Sequence, residues 1–119
     1  MDAQSERLDV LGDATPGGER ADTLGDGGQV LGVSYSALGE IVAAYDWPGA
    51  FAIVDCESGW NPLAVSWTGS RGLFQLMPVH AWRFAQRGWD YWVDVFVPER
   101  NVAIAYELWV EQGWAPWDC

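Results

Sequence analysis

The sequence predicts a small, mainly α-helical domain with a short loop or β-hairpin element at its centre. Three observations carry that expectation. All nine tryptophans of the 119-residue chain fall at or after Trp47, so the material for a core is concentrated in one part of it. From Pro98 onward, Val102, Ala105, Tyr106, Trp109 and Val110 recur at i, i+3, i+4, i+7 and i+8, which places them along one side of a helix. Between the helical segments lies an irregular stretch rich in Ser, Thr and Gly that begins at Asn61-Pro62. Within it, Gly69-Ser70-Arg71-Gly72 reads as a turn before the apolar run from Leu73 to Met77.

Residues 1–32 hold no aromatic side chain and are rich in Gly, Asp and Glu. They offer too little apolar surface to offset the entropy of ordering them, so they are expected to form a disordered acidic tail. The folded domain is expected over residues 33–119, a size at which extra staples help. Ser34 or Ser36 can cap a first helix running to about Tyr45, with Leu38, Ile41 and Val42 on it. Asp46-Trp47-Pro48 breaks that helix. A second, short helix is expected from about Pro48 to Ser58, with Gly59 just past its end and Phe51, Val54 and Asp55 or Ser58 on one side. Pro78 opens a third helix, which stops near Arg87 and Gly88. Pro98 and Glu99 start the last, which Gly113 ends.

The net charge is −11 and the chain has no lysine. A nucleic-acid surface needs clustered Arg and Lys, so that partner is excluded. No run of about 18 apolar residues occurs, and none of the sequence predicts a transmembrane helix. The start of the chain lacks the basic-then-apolar pattern of a secretory leader, so work outside the cytoplasm would need another route or a longer chain. Cys56 and Cys119 have the parity of a disulfide, but their spacing alone also fits two separate thiols. A bridge between them would stabilise so small a core by about 4 kcal/mol on the chain-closure model.

His80 is the one histidine, which excludes a His-rich metal site, and no phosphate loop can form without lysine. A nucleophilic triad would have to use His80, and no other feature supports one; a helix-surface or groove position is the plainer reading. Carboxylates remain. Glu57 closes an apolar helix, between Val54 and Trp60, just before a Gly/Asn/Pro stop. Aromatic neighbours there would withdraw the carboxyl from water and favour its protonated form, which is the form that can protonate a glycosidic oxygen. Position alone equally allows a helix-end glutamate facing solvent. Trp60, Trp67 and Trp82 flank the irregular stretch and fit either packing or stacking on sugar rings.

Three blocks of sequence then carry a resemblance. The first is Glu-Ser-Gly-Trp-Asn-Pro-Leu-Ala-Val-Ser over residues 57–66. The second is Gly-Ser-Arg-Gly-Leu-Phe-Gln-Leu-Met-Pro over 69–78, and the third is Pro-Glu-Arg-Asn-Val-Ala-Ile-Ala-Tyr-Glu-Leu over 98–108. In this order and spacing they resemble the soluble lytic transglycosylase domain, a lysozyme-like family related to goose-type lysozyme. The resemblance covers about residues 50–110 and leaves the tail outside it.

That resemblance implies an α+β lysozyme-like fold and a peptidoglycan substrate, with no metal or cofactor. It implies Glu57 as catalytic acid and base and Ser66 beside the reacting sugar. Gly72, Gln75 and Met77 would line the glycan groove, and Tyr106 would reach across from the last helix towards Glu57. A cysteine before the glutamate and a Trp-rich end closing on Cys119 are similar to some actinobacterial and phage members, which implies a Cys56–Cys119 bridge. His80 stands where Thr or Asn is usual, and Ala103 or Ala105 where Gly is usual. The implied reaction cleaves the MurNAc–GlcNAc bond with 1,6-anhydro-MurNAc ends, outside the cytoplasm, by a monomer or a module of a larger assembly. Two alternatives stand beside it. One is a muramidase that hydrolyses the same bond with Asp90 or Asp94 activating water. The other is an inactive wall-binding or virion structural domain, against which Glu57, Ser66, Gln75 and Tyr106 argue together.

Overall fold

The computed structural model describes residues 29–30 and 33–119. The acidic tail expected over 1–32 therefore lies outside the described residues, apart from a two-residue strand, β1 (Gln29–Val30). This strand pairs antiparallel with β2 (Val33–Ser34), with Gln29 opposite Ser34 and Val30 opposite Val33. The remaining named elements are helical: α1 (Tyr35–Ala43), α2 (Ala50–Ser58), a 3-10 turn (Pro78–His80), α3 (Ala81–Gln86), α4 (Tyr91–Asp94) and α5 (Pro98–Gln112). The mainly α class read from the sequence is the observed one.

Local chemistry explains the helix limits. Of the two serines that could cap α1, Ser34 does so, its hydroxyl accepting from the Ala37 amide at 3.0 Å. Gly59 ends α2 in the left-handed region, φ +62°, where a side chain would be strained. The third helix is split, because Pro78 opens a 3-10 turn before α3 begins. α4 is a helix beyond those expected from the sequence; its start is marked by Asp90, a side-chain cap on the Trp92 amide at 3.1 Å.

α1 packs against α2 and α5, and α3 against α4. Leu38 and Val42 of α1, Val54 of α2, and Val102, Ala105 and Leu108 of α5 share one core with Phe74 and Leu76 of the central stretch. The segment after α5 runs alongside α2. Trp114 Nε1 donates to Pro48 O at 3.0 Å near the start of α2, and Cys119 is bridged to Cys56 near its end, with the two Cα atoms 6.1 Å apart. Between these points Trp117 Nε1 donates to Phe74 O at 2.9 Å. An aromatic seam lines the start of this strap: Trp47 stacks on Trp114 at 5.6 Å and meets Tyr106 edge-on at 5.4 Å.

Candidate active site

The buried side of α2 consists of Ala50, Ile53, Val54, Glu57 and Ser58. Positions 50, 53, 54 and 57 follow one another at helical i, i+3, i+4 and i+7 spacing, so Glu57 is the last residue of the apolar stripe rather than an end facing water. It is fully buried. The stripe differs from the one read in the sequence, since Phe51 lies half-exposed against Trp60, with the rings 5.2 Å apart.

Past Gly59, turns carry the chain into a meander of three short extended segments. The Asn61 amide donates to Ser58 O and the Ala64 amide to Asn61 O. Ser66 N then donates to Ser70 O, and Gly72 N to Ala64 O, both at 2.9 Å. Arg71 and Leu76 exchange both backbone hydrogen bonds, at 3.1 and 2.9 Å. Val65–Arg71 and Arg71–Leu76 are therefore single antiparallel bridges, the shortest form of the central element expected from the turn residues.

Ser66, Gly72 and Gln75 all belong to this meander. The Ser66 hydroxyl accepts from the Ser70 amide at 3.0 Å and pairs with the Thr68 hydroxyl at 2.9 Å, which closes the 66–70 turn. Gln75 is fully buried at φ +52°, a left-handed conformation that costs a non-glycine residue about 1 kcal/mol or more. Its Nε2 donates to Ala64 O at 3.1 Å and to Gly72 O at 3.0 Å, which holds the strained turn closed. Met77 follows at the start of the 3-10 turn and is partly buried.

Asn101 was not among the site residues expected from the sequence, yet it organises the meander. It is fully buried at the head of α5, and its Oδ1 accepts from the Phe74 amide at 2.9 Å. Its Nδ2 donates to Val95 O at 2.9 Å and to Arg71 O at 3.3 Å. One side chain thus clamps the 71–74 turn onto α5. Gly72 makes that clamp possible: at φ +82°, a Cβ there would stand 2.3 Å from Asn101 Nδ2 and 2.3 Å from Val95 O. The close approach expected of Gly72 is seen towards the protein's own interior. The Tyr91 hydroxyl adds a further anchor, donating to Leu76 O at 2.6 Å; burial pushes its phenol above the usual range, against the opposing pull of the Arg71 cation.

The other candidate acids are engaged elsewhere. Asp94 is buried, paired with Arg100 at 2.7 Å and accepting from the Asp90 amide at 2.7 Å. Asp90 caps α4. His80 is buried rather than on a helix surface. Its Nδ1 accepts from Arg83 Nε at 3.2 Å, and its pKa is lowered to about 4 by burial first and by the Arg83 cation second. Arg83 in turn bridges Glu107 at 2.7 Å and Glu111 at 2.8 Å, tying α3 to α5. His80 is therefore a neutral structural imidazole, and among the described residues no group of three His, Cys, Asp or Glu is placed to hold a metal.

Tyr106 lies in a cluster of rings that reaches the meander through Trp47, whose ring is 4.8 Å from Phe74. Its ring lies 4.5 Å from Tyr45, 5.4 Å from Trp47 and 5.7 Å from Trp109, and it lines a cavity of about 330 Å³ with Arg87, Glu107 and Glu111. These contacts fall beside the loop leading into α2.

The arrangement is a small helical domain with a buried glutamate at the end of one helix, followed directly by a hydrogen-bonded meander. The model of the Transglycosylase SLT domain matches residues 40–111, more than half of the chain, and the chain belongs to that family. No curated protein and no solved structure is significantly similar to it. Family membership supports a lytic transglycosylase type of activity, with peptidoglycan as the substrate. No helix among the described residues is long and apolar enough to cross a membrane.

Proposed function

We propose that residues 33–119 form a lytic transglycosylase unit that cleaves the MurNAc–GlcNAc bond of peptidoglycan and leaves 1,6-anhydro-MurNAc ends. The observation that carries this reading is the complete burial of Glu57 on the apolar stripe of α2. Water withdrawn from a carboxyl disfavours its charged form, so the residue enters the reaction as an acid. Glu57 gives its proton to the bridging oxygen, the bond from that oxygen to C1 of MurNAc breaks, and GlcNAc leaves with a free C4 hydroxyl. The resulting carboxylate takes the proton of the MurNAc C6 hydroxyl, whose oxygen bonds to C1 and closes the anhydro ring. Glu57 ends protonated, and no water is consumed.

A hydrolase would need a second carboxylate to activate water. Asp94 is held by Arg100 and Asp90 caps α4, which supports the route through the substrate's own hydroxyl. Ser66 and Gln75 then act through the meander, orienting the sugar next to the reacting bond, with Gly72 and Met77 shaping the same wall. Tyr106 contributes to substrate binding from α5, its ring held by Tyr45 and Trp47. The site of action is the cell wall, outside the cytoplasmic membrane.

Two measurements test the reading. Mass analysis of glycan released from purified walls should find anhydro ends that borohydride does not reduce; ordinary reducing ends, heavier by one water, would overturn the transglycosylase assignment. Glu57→Gln keeps the shape and cannot donate the proton, so release should fall at least about a hundredfold. Near-normal release by the folded variant would remove Glu57 from the chemistry.

A further inference from the structure

We propose that Trp67 is a sugar-stacking subsite, which takes the apolar face of an N-acetylhexosamine ring of the glycan strand beside Ser66. The inference rests on the peptidoglycan reading and adds to it a binding residue. Eight of the nine tryptophans lie against another aromatic ring or an arginine: Trp47, Trp60, Trp109, Trp114 and Trp117 contact rings, Trp82 contacts Arg83, and Trp89 and Trp92 contact both. Trp67 alone makes no such contact among the described residues, and it is 78 % exposed. Indole is a large apolar surface, and leaving it in water forgoes the burial that the other eight obtain at least in part.

Its position is fixed rather than loose. Trp67 is the second residue of the 66–69 turn, in which the Gly69 amide donates to Ser66 O at 2.9 Å. The Ser66 backbone is bonded to Ser70 O, and its hydroxyl to the Ser70 amide and Thr68. A tryptophan on such a turn has only its two side-chain torsions left to order when a ligand binds, so stacking loses little to entropy.

The neighbouring exposure describes the ligand. Along residues 63–67, Leu63 (45 %), Val65 (46 %) and Trp67 are exposed while Ala64 and Ser66 are buried, so an apolar stripe faces outward. Val65 stands in the extended segment and Leu63 and Trp67 in the turns at its two ends, so the stripe runs the length of that segment. A β-linked hexosamine presents C–H bonds on its flat faces and hydroxyl and acetamido groups around its rim. The indole matches the face, and Thr68 beside it offers a hydroxyl for the rim. Ser66 lies between Val65 and Trp67 in the chain, on the buried side of the same segment, so a strand held on the stripe passes beside it.

The test uses the whole chain with soluble N-acetylglucosamine tetrasaccharide as the probe, followed by calorimetry on the Glu57→Gln background. Trp67→Ala should weaken binding about tenfold, the scale of one lost aromatic contact. Trp67→Phe, which keeps a ring, should remain within about threefold. On solubilised glycan strands, Trp67→Ala should raise KM about tenfold and change kcat less than about threefold, because the stacked ring is bound equally before and during reaction. Unchanged KM and tetrasaccharide affinity in a Trp67→Ala protein of normal melting behaviour would overturn the subsite and return the stripe to a protein-contact role. Binding that depends on Trp67 in a protein that releases no glycan would instead keep the subsite and sink the enzymatic reading.

Discussion

The central meander and the aromatic seam are held by different kinds of force. In the meander, order comes from directional hydrogen bonds: Asn101 reaches the Phe74 amide and the Val95 and Arg71 carbonyls, and Gln75 reaches two more carbonyls. In the seam, Tyr45, Trp47, Tyr106, Trp109 and Trp114 lean on one another with ring centres 4.5 to 6.2 Å apart. Buried polar networks have few acceptable geometries and fix atoms closely, whereas ring packing can shift and still bury its surface. α2 joins the two, starting against Trp47 and Trp114 and ending with Glu57 at the head of the meander. The proposed chemistry therefore sits where hydrogen bonds fix position, and Phe74 ties that region to the seam through Trp47, the two rings 4.8 Å apart.

The sharpest way to break that comparison is to substitute one small residue in each region. Gly72→Ala combines a left-handed backbone with a Cβ set 2.3 Å from the Val95 carbonyl, which is main chain and cannot rotate away. Its cost should exceed about 4 kcal/mol, a large part of the stability of a small domain. Trp109→Phe in the seam removes more atoms, yet it should cost only about 1 kcal/mol because the neighbouring rings can close up. Denaturant midpoints of the two variants decide the matter. If Gly72→Ala were the milder change, the meander would be adjustable and the clamp by Asn101 would not be what shapes it.

The same contrast explains what was legible in the sequence. α1 and α5 were readable because one-sided apolar repeats and caps report helices directly, and Ser34, Pro98 and Gly113 stand at their limits. The three motif blocks carried the resemblance to the family the chain belongs to, and the disulfide implied by the cysteine before Glu57 and the Trp-rich end is present. Periodicity failed where the structure is held by side chains distant in sequence. Nothing local tells that Asn101 bonds to Phe74, 27 residues earlier, or that Gly72 makes room for it. α4 escaped because four residues carry no period, although Asp90 was a readable cap. The burial of Glu57 was half legible: its i+3 and i+4 relation to Val54 and Ile53 was on the page, but Phe51 pointed to a different side.

A smaller effect is expected from the strap. The Cys56–Cys119 bridge closes a loop of 63 residues, for which the chain-closure model gives about 4 kcal/mol of stabilisation. Trp114 and Trp117 still pin the strap at Pro48 and Phe74 when the bridge is open. Reduction, or the paired Cys56→Ser and Cys119→Ser change, should therefore lower stability by about 2–4 kcal/mol. The aromatic near-ultraviolet signal of the seam should persist under folding conditions. Loss of that signal on reduction alone would show that the covalent link, and not ring packing, orders the seam.

The smallest effect belongs to His80, a polar group buried outside both regions. Its Nδ1 accepts from Arg83, which places the proton of the neutral ring on Nε2, and that atom has no hydrogen-bond partner among the described residues. Protonating Nδ1 would break the bond to Arg83 and set two cations together, with Glu107 and Glu111 compensating only in part. The folded pKa of about 4 lies below the ordinary 6.5, so the unfolded chain binds the proton more readily between those values. The contribution of His80 is therefore complete above about pH 6.5, declines as pH falls towards 4 and changes no further below it. Glu111, lowered chiefly by its hydrogen bond to Arg83, loses its own contribution only below its ordinary value of 4.5, so measurements between pH 7 and 5 isolate the histidine. Urea midpoints over that range should fall for the wild type and change less for His80→Gln, which cannot take up a proton. Equal slopes in the two proteins would mean that the imidazole is hydrated in solution, and that a polar group outside the meander need not be as strictly placed as one within it.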